Sequence, residues 1–317
     1  NTNELTTEQK VVICEVCQTG LVSSEKKNIL VDYIVKMLHD NNAEVRRNAV
    51  QVLNEFNAKE AITTIIELLD DRNSDVRIQA ICTLAKFNTR EVIPRIILLL
   101  NDKAFFVRTS AINALVEMDV KDAIPQIIKL LNDKEFYVRG SAAIALGDLN
   151  AKEAIPEITR LLKDQDSNVR KNSIIALAKL NAKEVIPEII KLLNDRELVV
   201  QERALVALCK LQAEEIIPQI ISFLNDKEPS MCGSAAIAAS SLNVKEAIPG
   251  ILTLLKDNDY YASRCAAIAL VELDAKEIIP DMLTLLKTKE YRLTAGMVLL
   301  GLGVLDEVPE NIKIEIK

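Results

Sequence analysis

The 317-residue sequence predicts an all-α fold, an α-α superhelix of about nine stacked helical hairpins. Three residue types recur with a step of 31 positions. Proline stands at 94, 125, 156, 187, 218, 249 and 280, aspartate at 40, 71, 102, 133, 164, 195, 226 and 257, and arginine at 46, 77, 108, 139 and 170. A fixed period of this length is typical of solenoids, in which each unit buries its apolar face by stacking on its neighbours.

The composition favours a core of aliphatic side chains. Hydrophobic residues make up 49% of the chain, aromatic residues only 3%, and tryptophan is absent. The net charge of −7 disfavours binding to nucleic acid, because phosphates attract clustered cations. No apolar run is long enough to span a membrane, so we expect no membrane insertion. The apolar stretch 11–22 contains Glu15 and Gln18 and follows no basic region, so we do not expect a signal peptide.

Residues 150–180 show how one repeat predicts a helical hairpin. Asn150 and Glu153 have the spacing of a capping box, so Asn150 is predicted to be the N-cap of the first helix. Pro156 falls in or just after the first turn, where a missing N–H is tolerated. The apolar positions of this helix follow at helical spacing and are Ile155, Ile158, Leu161 and Leu162.

The second helix of the repeat is predicted after a break at 163–168, which is rich in residues that turn and cap. Its buried face is expected to hold Val169, Ser173, Ala176, Leu177 and Leu180. Alanine at 145, 176, 207, 238 and 269 is expected to let neighbouring helices approach closely. Strand periodicity is confined to the C-terminal tail, where Ile312, Ile314 and Ile316 alternate.

The pattern resembles the short HEAT-like repeats also found in phycobilisome lyases. The resemblance rests on proline, aspartate eight residues later, and Val-Arg at thirteen and fourteen, as at Pro94, Asp102, Val107 and Arg108. It implies a right-handed superhelix whose second helices line the concave side. The resemblance covers residues 26–304, which are predicted to form the repeat solenoid. Residues 1–25 are predicted to form a capping helix outside the repeats, and residues 305–317 an irregular tail.

The chain departs from this pattern in places. Thr63 replaces the first proline, and the register is expected to be lost after Gly303. The arginine position of the last four repeats is predicted to hold Gln201, Cys232, Ser263 and Thr294.

The recurring Asp and Arg residues flank the turn between the two helices. We interpret them as a structural ladder in which Asp caps the second helix and pairs with Arg of its own or an adjacent repeat. The alternative is ligand or phosphate binding by the arginines. The ladder residues are Asp71, Arg77, Asp102, Arg108, Asp133, Arg139, Asp164 and Arg170.

A partner-binding surface is predicted on the second helices, where the position five after the arginine points about 140° from the arginine and away from the core. This position becomes aliphatic in the later repeats, and aromatic residues cluster just before the arginine site. An exposed strip of this kind usually marks an interaction site. Lateral packing between neighbouring second helices is the alternative. The predicted binding residues are Phe105, Phe106, Phe136, Tyr137, Ile144, Ile175, Val206, Ile237, Tyr260, Tyr261, Ile268, Tyr291 and Leu299.

The sequence offers no set of catalytic or metal-binding residues. His39 is the only histidine and lies in a polar loop, so any Ser-His-Asp or Cys-His set would have to use this residue. Cys14 and Cys17 form a lone CxxC without a second ligand pair, and we predict that they pack a helix. Six cysteines at unrelated repeat positions favour a reducing cytoplasm over a disulfide framework. No cofactor is expected.

The sequence therefore predicts a non-catalytic scaffold that binds a protein or peptide on its concave face. The resemblance suggests an alternative, a bilin-lyase-like subunit acting on a tetrapyrrole protein, although no catalytic residue can be matched. DNA-repair glycosylases of HEAT-like fold are the least favoured class, because they place Trp and cationic surface beside the damaged base. The oligomeric state and the identity of the partner are left open.

Overall fold

The computed structural model describes residues 5–18, 24–257 and 259–304, and the side chains of 24–29 are not included. Within these ranges all regular structure is helical. The chain divides into two units, residues 1–180 and 181–317. The predicted all-α solenoid of stacked helical hairpins is confirmed. The tail 305–317, with its alternating isoleucines, lies outside the described residues.

The described part of unit 1 consists of one leading helix and five hairpins. Its helices are α1 (Thr7–Gln18), α2 (Ser24–Met37), α3 (Ala43–Glu55), α4 (Ile62–Glu67), α5 (Ser74–Lys86), α6 (Ile93–Leu99), α7 (Phe105–Glu117), α8 (Ile124–Lys129), α9 (Phe136–Asp148), α10 (Ile155–Arg160) and α11 (Ser167–Lys179).

The described part of unit 2 consists of four hairpins. Its helices are α12 (Ile186–Lys191), α13 (Leu198–Lys210), α14 (Ile217–Phe223), α15 (Pro229–Ser241), α16 (Ile248–Leu254), α17 (Tyr260–Glu272), α18 (Ile279–Leu285) and α19 (Arg292–Gly301).

Apart from α2, which has 14 residues, the first helices have six or seven residues and follow a 3-10 turn, and all of these except α4 carry a proline in the first turn. In the repeat at 150–180 the turn Lys152–Ala154 leads into α10, and Pro156 occupies the first turn as predicted. The prediction that Asn150 is the N-cap of this helix is wrong. The residue before the 3-10 turn is Ala151, which makes no side-chain cap.

Asn150 instead ends the preceding second helix, α9. Its φ is +55°, and the N–H of Ala151 donates to the carbonyl of Leu146 at 2.9 Å. This is a Schellman termination, in which a left-handed residue closes the helix, and Asn and Asp tolerate that conformation better than most side chains. The left-handed conformation recurs with the 31-residue step at Asn57, Asn88, Asp119, Asn150, Asn181, Gln212, Asn243 and Asp274.

Second helices pack side by side within each unit, and small residues at their contacts determine how closely the backbones approach each other. In unit 1, α9 and α11 approach each other closely. A Cβ added at Gly147 would lie 3.0 Å from the Cα of Ala176, so the two backbones nearly touch there. The predicted apolar face of α11 is buried, from Val169 through Leu180.

The last hairpin is two residues shorter than the others. α18 begins 31 residues after α16, but the left-handed residue that ends α19 is Gly303, which comes 29 residues after Asp274. The two residues are therefore lost in the turn between α18 and α19. The register changes there, before Gly303 and not after it as the sequence predicted.

This shortened turn corrects two predicted positions. Arg292, not Thr294, holds the arginine position, because its Nε donates to the carbonyl of Leu286, six residues earlier, at 3.2 Å. Ladder arginines donate to a backbone carbonyl with the same six-residue spacing. Leu299 then falls on the core side and is 0% exposed, whereas Met297, five after Arg292, is 44% exposed.

Helix α1 covers the first hairpin of unit 1. It packs against α3, and Lys10 Nζ lies 2.6 Å from Asp40 Oδ2. Asp40 is the first ladder aspartate, so Lys10 supplies the cation that arginine supplies in later repeats. Cys14 and Cys17 of α1 are buried, and Cys14 Sγ lies 3.9 Å from Met37 Sδ. These contacts place both cysteines in helix packing.

Candidate interaction surface

The Asp–Arg ladder of unit 1 links each repeat to the next. In four successive repeats a guanidinium nitrogen lies 2.7 Å from the carboxylate of the aspartate 25 residues later. Each arginine also donates to the backbone carbonyl of its own repeat's aspartate at 2.7 or 2.8 Å. The pairs are Arg46–Asp71, Arg77–Asp102, Arg108–Asp133 and Arg139–Asp164. Arg170 likewise donates to the carbonyl of Asp164 at 2.8 Å.

The aspartates of the ladder do not cap the second helix as predicted. Asp164 accepts the N–H of Asp166 at 2.9 Å, and Asp166 is the N-cap of α11. The ladder aspartate therefore stabilises the turn two residues before the N-cap of the second helix. Its carboxylate also pairs with the arginine of the preceding repeat. Since the four paired arginines are engaged inside the protein, this geometry favours the structural interpretation over phosphate binding.

The ladder carboxyls Asp71 and Asp164 are more acidic than usual. Burial alone would raise the pKa of Asp71 and Asp164, but hydrogen bonds from Arg46 and Arg139 and from the following backbone N–H groups lower it below the ordinary value. The hydrogen bond to Asp164 also raises the pKa of the Arg139 guanidinium. Both pairs therefore remain ionised at neutral pH.

The ladder changes character in unit 2. Gln201 Nε2 and Cys232 Sγ still donate to the carbonyls of Asp195 and Asp226, at 2.5 and 3.2 Å. These neutral side chains keep the hydrogen bond within the turn but bring no cation to the aspartate of the next repeat. Asp226 is exposed and accepts the N–H of Glu228 at 2.9 Å.

The strip of aliphatic residues five positions after the arginine is partly exposed. In unit 1, Ile144 and Ile175 are half-buried. In unit 2, Val206 is 50% and Ile268 39% exposed, while Ile237 between them is half-buried. The predicted exposed strip therefore describes Val206 and Ile268, and the alternative of lateral packing describes the half-buried residues, which neighbouring second helices cover on one flank. The predicted last member, Leu299, belongs to the core.

The aromatic residues form separate groups in the two units. In unit 1 the rings of Phe105 and Tyr137 are stacked, with centroids 6.0 Å apart, and Phe106 and Tyr137 are exposed. Phe136 is half-buried and lies 4.0 Å from Tyr137, ring centre to ring centre. This places Phe105, Phe136 and Tyr137 in one surface cluster.

In unit 2 the tyrosines do not all occupy the same position of the repeat. Tyr260 and Tyr261 are exposed at the start of α17. Tyr291 directly precedes Arg292 and is half-buried, with its hydroxyl 3.4 Å from the carbonyl of Lys256. The shortened last turn explains why Tyr291 leaves the position predicted for it.

A groove of about 350 Å³ lies on the second-helix face of unit 2. Val206 and Lys210 of α13 form one side, Ile237 and Ser241 of α15 the other, and Tyr261 of α17 an end. Sequence reasoning found the aliphatic members and Tyr261 but missed Lys210 and the serines. The serines could have been found from the run of small residues in α15, which leaves room above that helix.

The remaining candidate groups are the cysteines and the single histidine. Burial raises the pKa of the Cys14 and Cys209 thiols to about 12, so they stay protonated and are poor nucleophiles. All six cysteines are free thiols, and His39 is exposed. Among the described residues no group of His, Cys, Asp and Glu is placed to hold a metal ion. Over the same residues, every helix is too short or too polar to cross a membrane.

Comparisons with known proteins agree with the architecture. A family model described as HEAT repeats matches residues 31–116, 64–135, 124–209 and 186–264. No curated protein matches the chain.

Solved structures also resemble the chain. The YibA protein of Escherichia coli is 22% identical with a TM-score of 0.61, covering 85% of this chain and 97% of its own. An engineered protein is 20% identical with a TM-score of 0.54, covering 93% and 94%. The CpcE–CpcF complex of phycocyanin lyase from Nostoc sp. PCC7120 is 22% identical with a TM-score of 0.44, covering 77% and 94%. At these identities the first two concern the fold alone, and the third supports no inference about this chain.

Proposed function

The chain belongs to the HEAT repeat family, and from this premise we propose that it is a non-catalytic scaffold that binds a protein or peptide partner on the face formed by its second helices. The observation that carries the proposal is the apolar surface of unit 2, where Val206, Tyr261 and Ile268 are each between 39% and 50% exposed. Exposed apolar groups that border a groove usually mark an interaction site.

The proposal extends to the cellular compartment of the protein. Six unpaired thiols, five of which are buried, fit a reducing compartment such as the cytoplasm. The polar side chains that line the groove are Lys210, Gln212, Ser234, Ser241 and Tyr261, and the absence of a carboxylate among the lining residues supports binding rather than acid–base catalysis.

Substitution of the strip tests the binding face. We expect Val206→Asp to cost less than about 1 kcal/mol of stability, because the new carboxylate remains in water. Val200→Asp, on the same helix but at a 0% exposed position, should cost more than about 3 kcal/mol, since it buries an unpaired charge. Thermal and denaturant unfolding, followed by circular dichroism, measure both.

The binding half of this test uses the double variant Val206→Asp/Ile237→Asp. Proteins captured from the native host by the wild-type chain should be lost from the double variant, which should remain folded. Capture of the same proteins by both would contradict the proposed face. Destabilisation by Val206→Asp as severe as that by Val200→Asp would show that the strip is core.

The enzymatic alternative, a bilin-lyase-like subunit, predicts binding of a tetrapyrrole. We expect no change in the absorbance spectrum of a free bilin when the protein is added, because the groove on unit 2 lacks a reactive nucleophile. The buried Cys209 at its edge has a pKa of about 12. A saturable spectral shift that is lost in Cys209→Ser would overturn this expectation and favour the alternative.

A further inference from the structure

The groove of unit 2 exists because α15 carries small, uncharged side chains. Over its 13 residues this helix has no Asp, Glu, Lys or Arg. Ser234, Ala238 and Ser241 line the groove and leave Ile237 as its main apolar contact on this helix. The groove floor is therefore mainly apolar, with two serine hydroxyls, and α15 brings no charged side chain to it.

Tyr261 forms the end of the groove by lying against a glycine. A Cβ added at Gly233 would lie 2.7 Å from Tyr261 Cε1 and 3.3 Å from Cys265 Sγ. Only a residue without a side chain lets the ring take this place. The same repeat position in unit 1 is Gly140, where an added Cβ would meet only the amide group of Asn172.

The helices on both sides of α15 carry unpaired cations beside their exposed apolar residues. On α13, Arg203, Val206 and Lys210 follow each other at helical spacing and share one face. On α17 the same spacing places Arg264 between Tyr261 and Ile268. All three cations are exposed, and among the described residues no carboxylate lies within ion-pair distance of them.

Two carboxylates share this face without neutralising it. Glu272 accepts a hydrogen bond from Ser240 Oγ at 2.5 Å, and Glu202 lies near Tyr261. In unit 1, by contrast, Lys179 occupies the repeat position of Lys210 and is paired with Asp148 at 2.5 Å. As far as the structure describes the chain, the face of unit 2 therefore keeps three cations without an ion-pair partner, on a protein whose net charge is −7.

An apolar floor between two cationic flanks complements one kind of ligand. We propose that this groove binds an amphipathic helix of a partner protein whose apolar face carries acidic residues on both flanks. The apolar side chains would lie between Val206 and Ile237, with Tyr261 at the end, and the carboxylates would pair with Lys210, Arg203 and Arg264. This is the helix-in-groove mode of recognition, and it rests on the proposed function by naming the partner's chemistry.

Synthetic peptides of about 15 residues test the inference directly. One peptide carries Leu along one helical face and Glu on its flanks, and its twin has Lys in place of every Glu. By fluorescence polarisation with the full chain, the acidic peptide should bind at least about tenfold more tightly than its twin, because electrostatic complementarity selects between them. Its affinity should fall with added salt.

Variants of the chain locate the site. Arg203→Glu/Lys210→Glu should weaken the acidic peptide at least about tenfold and strengthen the Lys twin. Lys86→Glu, at the repeat position of Lys210 but in unit 1, is the control and should leave both affinities unchanged. Gly233→Ala displaces Tyr261 and should weaken binding, whereas Gly140→Ala should not. Circular dichroism checks that each variant is folded.

The outcomes separate this inference from the proposed function. Equal binding of both peptides would overturn the acidic partner while leaving an apolar binding face in place. Binding of neither peptide would overturn the inference, and capture experiments with Val206→Asp/Ile237→Asp would still test the face itself. Binding of vesicles with anionic lipid, abolished by Arg203→Glu/Lys210→Glu while the acidic peptide fails to bind, would also overturn it in favour of a membrane surface.

Discussion

Asp71→Ala is expected to destabilise unit 1 by about 3–5 kcal/mol, because it leaves a buried guanidinium without its carboxylate. Arg46 Nε and Nη2 lie 2.7 and 2.8 Å from the two carboxylate oxygens of Asp71. Both side chains are less than a tenth exposed. After the substitution Arg46 retains only the carbonyls of Asp40 and Asn41 as acceptors, which do not compensate its charge.

Asp226→Ala is the matched control within the same chain. Asp226 holds the same repeat position but is exposed, and its carboxylate accepts the N–H of Glu228. We expect a loss of about 0.5–1.5 kcal/mol, the net value of one hydrogen bond. Denaturant unfolding of both variants measures the difference. Equal losses would show that the ion pair adds nothing beyond the turn.

The stability contributed by the Asp71–Arg46 pair should depend on pH in the direction set by the lowered pKa of Asp71. The folded-state pKa of Asp71 lies below the ordinary value, so the pair contributes stability above the unfolded-state pKa and loses it as the pH falls through the folded-state pKa. The gap in stability between wild type and Asp71→Ala should therefore be constant near neutral pH and shrink below about pH 4. A gap that widens on acidification would contradict the ion pair as its source.

The repeat architecture could be predicted from the sequence because its period is a long-range signal that no single residue carries. Local signals were less certain. Asn150 followed by Glu153 has the spacing of an N-cap, yet asparagine is equally suited to the left-handed residue that ends a helix. In the folded protein Asn150 takes the second role, since the N–H groups of Asn150 and Ala151 donate to carbonyls at the end of α9.

The end of the solenoid shows a second limit. A strict 31-residue count places Thr294 at the arginine position and Leu299 on the surface, but the turn before α19 is two residues shorter. The signal was present in the sequence, because Arg292 and Gly303 lie two residues earlier than the count requires. The aliphatic strip was predicted from helical angles alone, which give direction from the core but not how closely the neighbouring helices pack on each flank.

Removing one whole repeat is expected to preserve the fold, whereas removing half of one is not. Deletion of residues 119–149 joins Met118 to Asn150, and Asn150 then replaces Asp119 with nearly the same φ, +55° in place of +50°. Arg108 acquires Asp164 at the spacing formerly held by Asp133. Because repeats contact only their neighbours, the shortened chain should keep the helicity per residue and a cooperative unfolding transition.

Deletion of residues 119–133 should instead disrupt unit 1. Helix α8, which brings the chain back between α7 and α9, is removed, although these two second helices lie side by side in adjacent repeats. A 13-residue helix is about 20 Å long. The three residues left between α7 and α9, which are Met118, Lys134 and Glu135, span at most about 11 Å. The connection cannot return to the start of the next second helix, and Arg108 loses its carboxylate as well. Circular dichroism and thermal melting should show lost cooperativity or aggregation for this variant only, and equal damage from both deletions would refute the assigned repeat register.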